Sequence, residues 1–328
     1  MYFPALFPSM SQYIFEQCDI SLFYENQSQI ISVIEEEFRV SLAARGQKIT
    51  VVEGENQPEL MALFADMESY LSRRLDAKPE ELTSFVRIRR EAPDMPLSEM
   101  LNDSSIVPNS RKKIYPKSLN QKLYVHTIEK SDIVFSIGPA GTGKTYIAMA
   151  VAIKYLLEKT IDKIVLTRPA VEAGESLGYL PGDLQAKIDP YLRPLYDALF
   201  DIVPTDLANR FIERGQVEVA PLAYMRGRTL NDAFLILDEA QNSTSEQMKM
   251  FLTRIGFRSK AIVTGDITQI DLPVRKKSGL VEAREILQGI EGIRFIHFTE
   301  KDVVRHAIVQ EVIKAYQRHE ENTDRNRE

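Results

Sequence analysis

The sequence predicts an α/β protein: a mainly parallel sheet covered by helices on both faces, preceded by a small α+β module. Three observations predict it. Short β-type runs alternate with helical ones through the larger, C-terminal part; one such run passes through a glycine-rich loop into a helix; and a stretch rich in proline, serine and basic residues separates this part from what precedes it.

In chain order, residues 29–38 place apolar side chains at helical spacing, residues 48–52 form a short β-type run ending at Glu53-Gly54, and residues 58–74 form a longer amphipathic helix. Residues 1–78 are expected to be one small α+β module. Residues 79–114 carry two basic clusters, Arg87-Ile88-Arg89-Arg90 and Arg111-Lys112-Lys113, and are expected to be a linker. From 115 to 316 the β-type runs fall at 133–137, 164–167, 217–220, 234–237, 261–264 and 294–298, with helical stretches between them. Continuous apolar runs of this kind suit parallel strands buried on both faces, and ligands of such sheets bind beyond the carboxyl ends of the strands. Residues 317–328 are almost wholly polar and are expected to be a disordered tail.

Composition narrows the function classes. A hydrophobic fraction of 44% and a charged fraction of 27% are ordinary for a globular chain, and no apolar run is long enough to cross a bilayer. Residues 1–10 are apolar but contain Pro4 and Pro8 and no basic residue, which does not fit a secretory signal, so a cytoplasmic protein without a membrane role is expected. Cys18 is the single cysteine, which rules out an intramolecular disulfide and a cysteine zinc site. His126, His297, His306 and His319 lie too far apart in sequence to form a ligand cluster. A net charge of −6 argues against coating nucleic acid by bulk charge and leaves only local basic patches for that role.

The strongest chemical signal is Gly138-Pro139-Ala140-Gly141-Thr142-Gly143-Lys144-Thr145, directly behind the run 133–137 and ahead of the helix-forming run 146–157. This is a complete phosphate-binding loop in its strand–loop–helix setting. The glycines let backbone N–H groups point inward at phosphate, Lys144 can reach the β- and γ-phosphates, and the Thr145 hydroxyl can ligate Mg²⁺. ATP with Mg²⁺ is the expected ligand pair.

Two further boxes follow. The apolar run 234–237 ends in Asp238-Glu239-Ala240-Gln241, where Asp238 suits the Mg²⁺ shell and Glu239 suits a base for the attacking water. Neighbouring residues at a strand end splay toward different targets, so one pair can serve both roles. The run 261–264 leads into Gly265-Asp266-Ile267-Thr268-Gln269, in which Gln269 is placed to bond the γ-phosphate or the water.

These three boxes, in this order, resemble motifs I, II and III of superfamily-one helicases. More closely, Arg168-Pro169-Ala170-Val171-Glu172-Ala173-Gly174-Glu175, Leu180-Pro181-Gly182-Asp183-Leu184, Asp189-Pro190-Tyr191-Leu192-Arg193-Pro194 and Tyr224-Met225-Arg226-Gly227-Arg228-Thr229 resemble the PhoH family of bacterial ATPases, over about 115–316. The resemblance implies a RecA-like ATPase core, a link to RNA metabolism, and a KH-like N-terminal module. It also implies that Gln121, upstream of the loop, reads the adenine edge and prefers ATP to GTP, with capping of the helix at 121–129 as the alternative. Arg168 falls where superfamily-one proteins touch the nucleic-acid backbone, its alternative being an ion pair with Glu172 or Glu175.

After Gln269 too few residues remain for a second RecA-like domain, so an arginine finger is expected from the same domain or from a neighbouring subunit. Arg305 is the leading candidate; Arg226, Arg228, Arg254 and Arg258 are others. A finger supplied in trans implies a homo-oligomer, such as the hexamer of other RecA-like rings. The glycine- and proline-bearing insert at 171–217 is read as a subunit or RNA contact, with a lid over the substrate path as the weaker reading. A KH clamp needs a Gly-x-x-Gly loop; Ala43-Ala44-Arg45-Gly46 is the nearest match, with one glycine, so RNA contact there is in doubt. Two functional readings result: an ATP hydrolase coupled to RNA, and an ATP-gated scaffold with slow turnover that recruits a partner such as an endoribonuclease. Kinase transfer to a small molecule fits less well, because the carboxylate box is built for water.

Overall fold

A computed structural model describes residues 11–18, 20, 27–54, 57–74, 77–93, 95, 97–101, 105–107, 113–169, 184–273, 276–304, 308–309 and 312. The chain divides into two units, residues 1–103 and 104–328.

The first unit is a small α+β module. Strands β1 (Gln12–Ile14), β2 (Ser41–Arg45) and β3 (Lys48–Glu53) form an antiparallel sheet in the order β1-β3-β2. Helices α1 (Gln27–Phe38), α2 (Gln57–Arg73), α3 (Pro79–Glu91) and α4 (Leu97–Leu101) accompany it. Ile49 and Val51 of the central strand are buried, as alternation on a one-sided sheet requires. Gly46 turns the chain between β2 and β3 at φ +59°. The segment 43–46 is therefore a strand end and a hairpin turn, not a clamp loop between helices.

The linker expectation for residues 79–114 does not hold over its first part. Pro79 opens α3, where a missing N–H leaves no helical bond unmade, and Leu82, Phe85, Val86 and Ile88 are buried along it. Fully burying side chains of this size stabilises by about 1.5–3 kcal/mol each, enough to outweigh the helix's many charges. Its basic cluster is neutralised locally: Arg87 lies 3.5 Å from Glu37, Arg89 2.8 Å from Asp66 and Arg90 3.2 Å from Glu59. Of the second cluster only Lys113 is among the described residues.

The second unit carries α5 (Leu119–Lys130), β4 (Ile133–Ile137), α6 (Lys144–Leu157), β5 (Lys163–Arg168), α7 (Leu184–Ile202), α8 (Thr205–Glu213), β6 (Val217–Pro221), β7 (Ala233–Leu237), α9 (Ser245–Leu252), β8 (Lys260–Gly265), α10 (Gly279–Ile286) and β9 (Ile293–His297). The six strands lie in the order β6-β5-β7-β8-β4-β9, and every pair is parallel. All six expected strands are present, within a residue at each end. The apolar β7, buried along its whole length, sits near the middle of the sheet.

The order matters for the site. From β4 the chain crosses past the positions of β8 and β7 to reach β5, while β9 returns to the other side of β4. The carboxyl end of β4 therefore lies at a point where connections diverge, which opens a crevice there. Of the insert at 171–217, residues 184–213 form α7 and α8, and residues 171–183 lie outside the described residues. Residues 317–328 do too.

Candidate active site

The β4 strand ends level with Gly265 of β8 and His297 of β9, and the chain turns at Gly138, whose N–H donates to the Gly265 carbonyl at 3.1 Å. Gly138 has φ +154°, and a Cβ there would stand 2.5 Å from the Phe298 carbonyl oxygen. Only glycine fits this corner. The loop enters α6 through Gly143 at φ +80°. Lys144, in the first turn, is 8% exposed, and its ammonium folds back onto the carbonyls of Gly138 (2.7 Å) and Pro139 (2.8 Å).

Across the crevice, the Thr145 hydroxyl donates to Asp238 Oδ1 at 2.6 Å. The Thr264 hydroxyl donates to the same oxygen at 2.8 Å and lies 3.1 Å from the Thr145 hydroxyl. Strand β8 stands between β4 and β7, and this interposes Thr264 between the loop and the carboxylate. Thr145 and Asp238 supply hard oxygen donors side by side. That set suits a Mg²⁺ ion that keeps most of its water and takes phosphate oxygens; among the described residues no group of three or more His, Cys, Asp or Glu side chains forms a protein cage for a metal.

Glu239 follows Asp238 with a left-handed backbone, φ +51°. Its Oε1 lies 2.9 Å from Arg168 Nη2, and its Oε2 accepts from Gln241 Nε2 at 2.6 Å. Gln241 is buried and joins the two boxes: its amide also donates to the Gln269 carbonyl at 3.2 Å and accepts from the Asp266 N–H at 3.0 Å. The exposed Gln269 side chain donates to Asp266 Oδ2 at 2.8 Å. A cleft of about 310 Å³ is lined by the loop, Thr145, Asp238, Glu239, Asp266 and Gln269, with Pro194, Leu195 and Ala198 of α7 as an apolar wall.

Gln121 lies behind the loop rather than in the cleft lining. Its Oε1 accepts from the Lys117 N–H at 2.6 Å and its Nε2 donates to the Thr142 carbonyl at 2.9 Å. The cap of α5 is Ser118, which accepts from the Gln121 N–H at 3.2 Å. A second brace comes from the turn after β9. The Val304 N–H donates to the Gly141 carbonyl at 3.0 Å, and Asp302 accepts from Ser118 (2.8 Å), Asn120 (2.9 Å) and the Thr299 N–H (2.9 Å). Partial desolvation lowers the His297 imidazole from its ordinary value, with the Arg284 charge adding to it.

Of the arginine-finger candidates, Arg305 lies outside the described residues. Arg228 is held bidentately by Glu218 at 2.6 and 2.7 Å, Arg258 by Asp232 at 2.5 and 2.7 Å, and Arg254 by the carbonyls of Met250 and Arg228 at 3.0 and 2.8 Å. Arg226 is exposed in the loop after β6. Arg168 pairs with Glu239; Glu172 and Glu175, the partners of its alternative reading, lie outside the described residues. Sequence reasoning gave no role to Thr264, Gln241 or Asp302. Gln241 belongs to the Asp238-Glu239-Ala240-Gln241 box, but its reach to Asp266 depends on strand order.

A family model described as "PhoH: PhoH-like protein" matches residues 113–317, which contain every part of this site. The chain belongs to the PhoH family. The PhoH-like protein of Bacillus subtilis is 47% identical over 300 residues, covering 90% of this chain and 93% of that one. The PhoH-like protein of Mycobacterium tuberculosis is 61% identical over 216 residues, covering 66% of this chain and 61% of that longer one. Among solved structures, the Pif1 helicase from Candida albicans is similar at 17% identity and a TM-score of 0.29, covering 55% of this chain and 39% of that chain. For this PhoH-family chain the fold rests on its own strand order. No helix among the described residues is long and apolar enough to cross a membrane.

Proposed function

We propose that this protein is a Mg²⁺-dependent ATP hydrolase whose turnover is coupled to RNA. The supporting observation is the convergence of a complete phosphate loop with Thr145, Asp238 and Glu239 at the carboxyl ends of β4, β7 and β8. Lys144 exchanges its loop carbonyls for phosphate oxygens, which places its charge where negative charge builds. Thr145 and Asp238 hold the ion; Mg²⁺, when bound, neutralises the phosphates. Glu239 orients the attacking water and accepts its proton, and Gln269 reports on the γ-phosphate through Asp266 and Gln241.

Gln121 braces the loop with one amide hydrogen and one lone pair. An amide has a second of each, and these are what it offers to adenine. With Arg228, Arg254 and Arg258 engaged inside the chain, Arg226 and Arg305 remain as fingers, supplied in trans within a homo-oligomer such as a hexamer.

One observation favours the second reading, an ATP-gated scaffold that recruits a partner such as an endoribonuclease: both oxygens of Glu239 already have partners, which suits slow turnover. Steady-state ATPase rate against protein concentration, with and without single-stranded RNA, separates the two. A specific rate that climbs with concentration and again with RNA supports the RNA-coupled oligomer. A rate at the level of a Glu239→Gln blank throughout rejects it in favour of the scaffold.

A further inference from the structure

The two partners of Glu239 differ in freedom. Gln241 is 1% exposed and its amide is shared among Glu239, the Gln269 carbonyl and the Asp266 N–H, so it cannot leave without breaking the link between β7 and β8. Arg168 has a side chain 20% exposed at the carboxyl end of β5. Its Nη1 donates to the Tyr191 carbonyl of α7 at 3.1 Å, and its Nε stands 4.0 Å from Asp238 Oδ2. One guanidinium thus ties α7, whose next turn lines the cleft, to both carboxylates. A left-handed non-glycine residue is costly, so the pose of Glu239 depends on these partners rather than on its own backbone preference.

A carboxylate oxygen that already accepts from a guanidinium is poorly placed to take a proton from water. We infer that Arg168 is a positioning residue that restrains Glu239, and that a phosphate of a bound nucleic-acid strand, by taking the guanidinium, frees the carboxylate to act. The inference rests on the proposed function, with Glu239 as the base of an ATP hydrolase coupled to RNA. It assigns the coupling between strand and hydrolysis to a single exchangeable ion pair. Guanidinium suits that exchange because its planar fork matches carboxylate and phosphate alike.

The test is kcat and KM for Mg-ATP of the full chain, with and without poly(U) RNA, for the wild type, Arg168→Gln and Arg168→Lys, with Glu239→Gln as the blank. Expected for Arg168→Gln is an RNA-free kcat raised about tenfold, the factor set by losing one charge-assisted hydrogen bond, with KM nearly unchanged and no further stimulation by poly(U). Arg168→Lys keeps the charge but cannot span Tyr191 and Glu239 together, and is expected to fall between; it decides the matter if the glutamine variant does not fold. Variants at or below the wild-type RNA-free kcat, when the wild type exceeds the blank, overturn the restraint. Wild type and variants all at the blank, with or without poly(U), overturn the hydrolase reading and the restraint with it.

Discussion

Thr145 and Asp238, 93 residues apart in sequence, meet through a 2.6 Å hydrogen bond. One stands in the first turn of α6 and the other just past β7, and the Thr264 hydroxyl of the intervening strand bonds the same Asp238 oxygen. If this cluster holds the nucleotide's cation, Asp238→Asn should weaken Mg-ATP binding roughly 10- to 100-fold, the usual effect of disturbing a metal's immediate surroundings. Equilibrium titration with a fluorescent ATP analogue checks it. Chelating Mg²⁺ should bring the wild type down to the level of the variant and leave the variant nearly unchanged.

Lys144→Ala removes a cation folded against the loop carbonyls. A charge-assisted hydrogen bond contributes about 1.5–3 kcal/mol, so affinity for ATP should fall roughly 10- to 150-fold. The thermal stability of the nucleotide-free protein should change far less than the stabilisation that saturating ATP gives to the wild type.

Gly138→Ala tests the corner itself. At φ +154°, and with a Cβ 2.5 Å from the Phe298 carbonyl, the change should cost about 2 kcal/mol or more in denaturant unfolding. Because the corner sets the loop, ATP affinity should fall as well.

Glu218 and Arg228 give a pH-dependent prediction. The hydrogen bond from Arg228 holds the Glu218 carboxyl below its ordinary value. A lowered folded-state pKa means that the stabilisation is present above the unfolded pKa and is lost as pH falls through the folded one. Arg228→Met should therefore cost up to about 1 kcal/mol near pH 7, small because the pair is partly exposed. The gap from the wild type should close in acid, as read from urea midpoints across that range.

The sequence exposed the parts of this molecule in which neighbours in the chain act together. The six parallel strands are continuous apolar runs, and the loop 138–145 and the pair Asp238-Glu239 are contiguous. The antiparallel β1 and β2 leave no clear pattern in the sequence because they are short and half exposed, with Ile14 turned to solvent. Helix α3 reads as linker in the sequence because its charges mask the apolar face formed by Leu82, Phe85, Val86 and Ile88. Thr264 beside Asp238, Arg168 against Glu239 and Asp302 against Ser118 all depend on strand order, which periodicity does not encode.

The most direct test is single-turnover release of γ-phosphate from Mg-ATP by the wild type and by Glu239→Gln, each at saturating protein. The proposed chemistry predicts equal ATP binding and a rate reduced roughly 10²- to 10⁴-fold in the variant, the range for losing a general base. A Glu239→Gln protein that binds and cleaves ATP at the wild-type rate would contradict it, and the base would have to be sought elsewhere in the cleft.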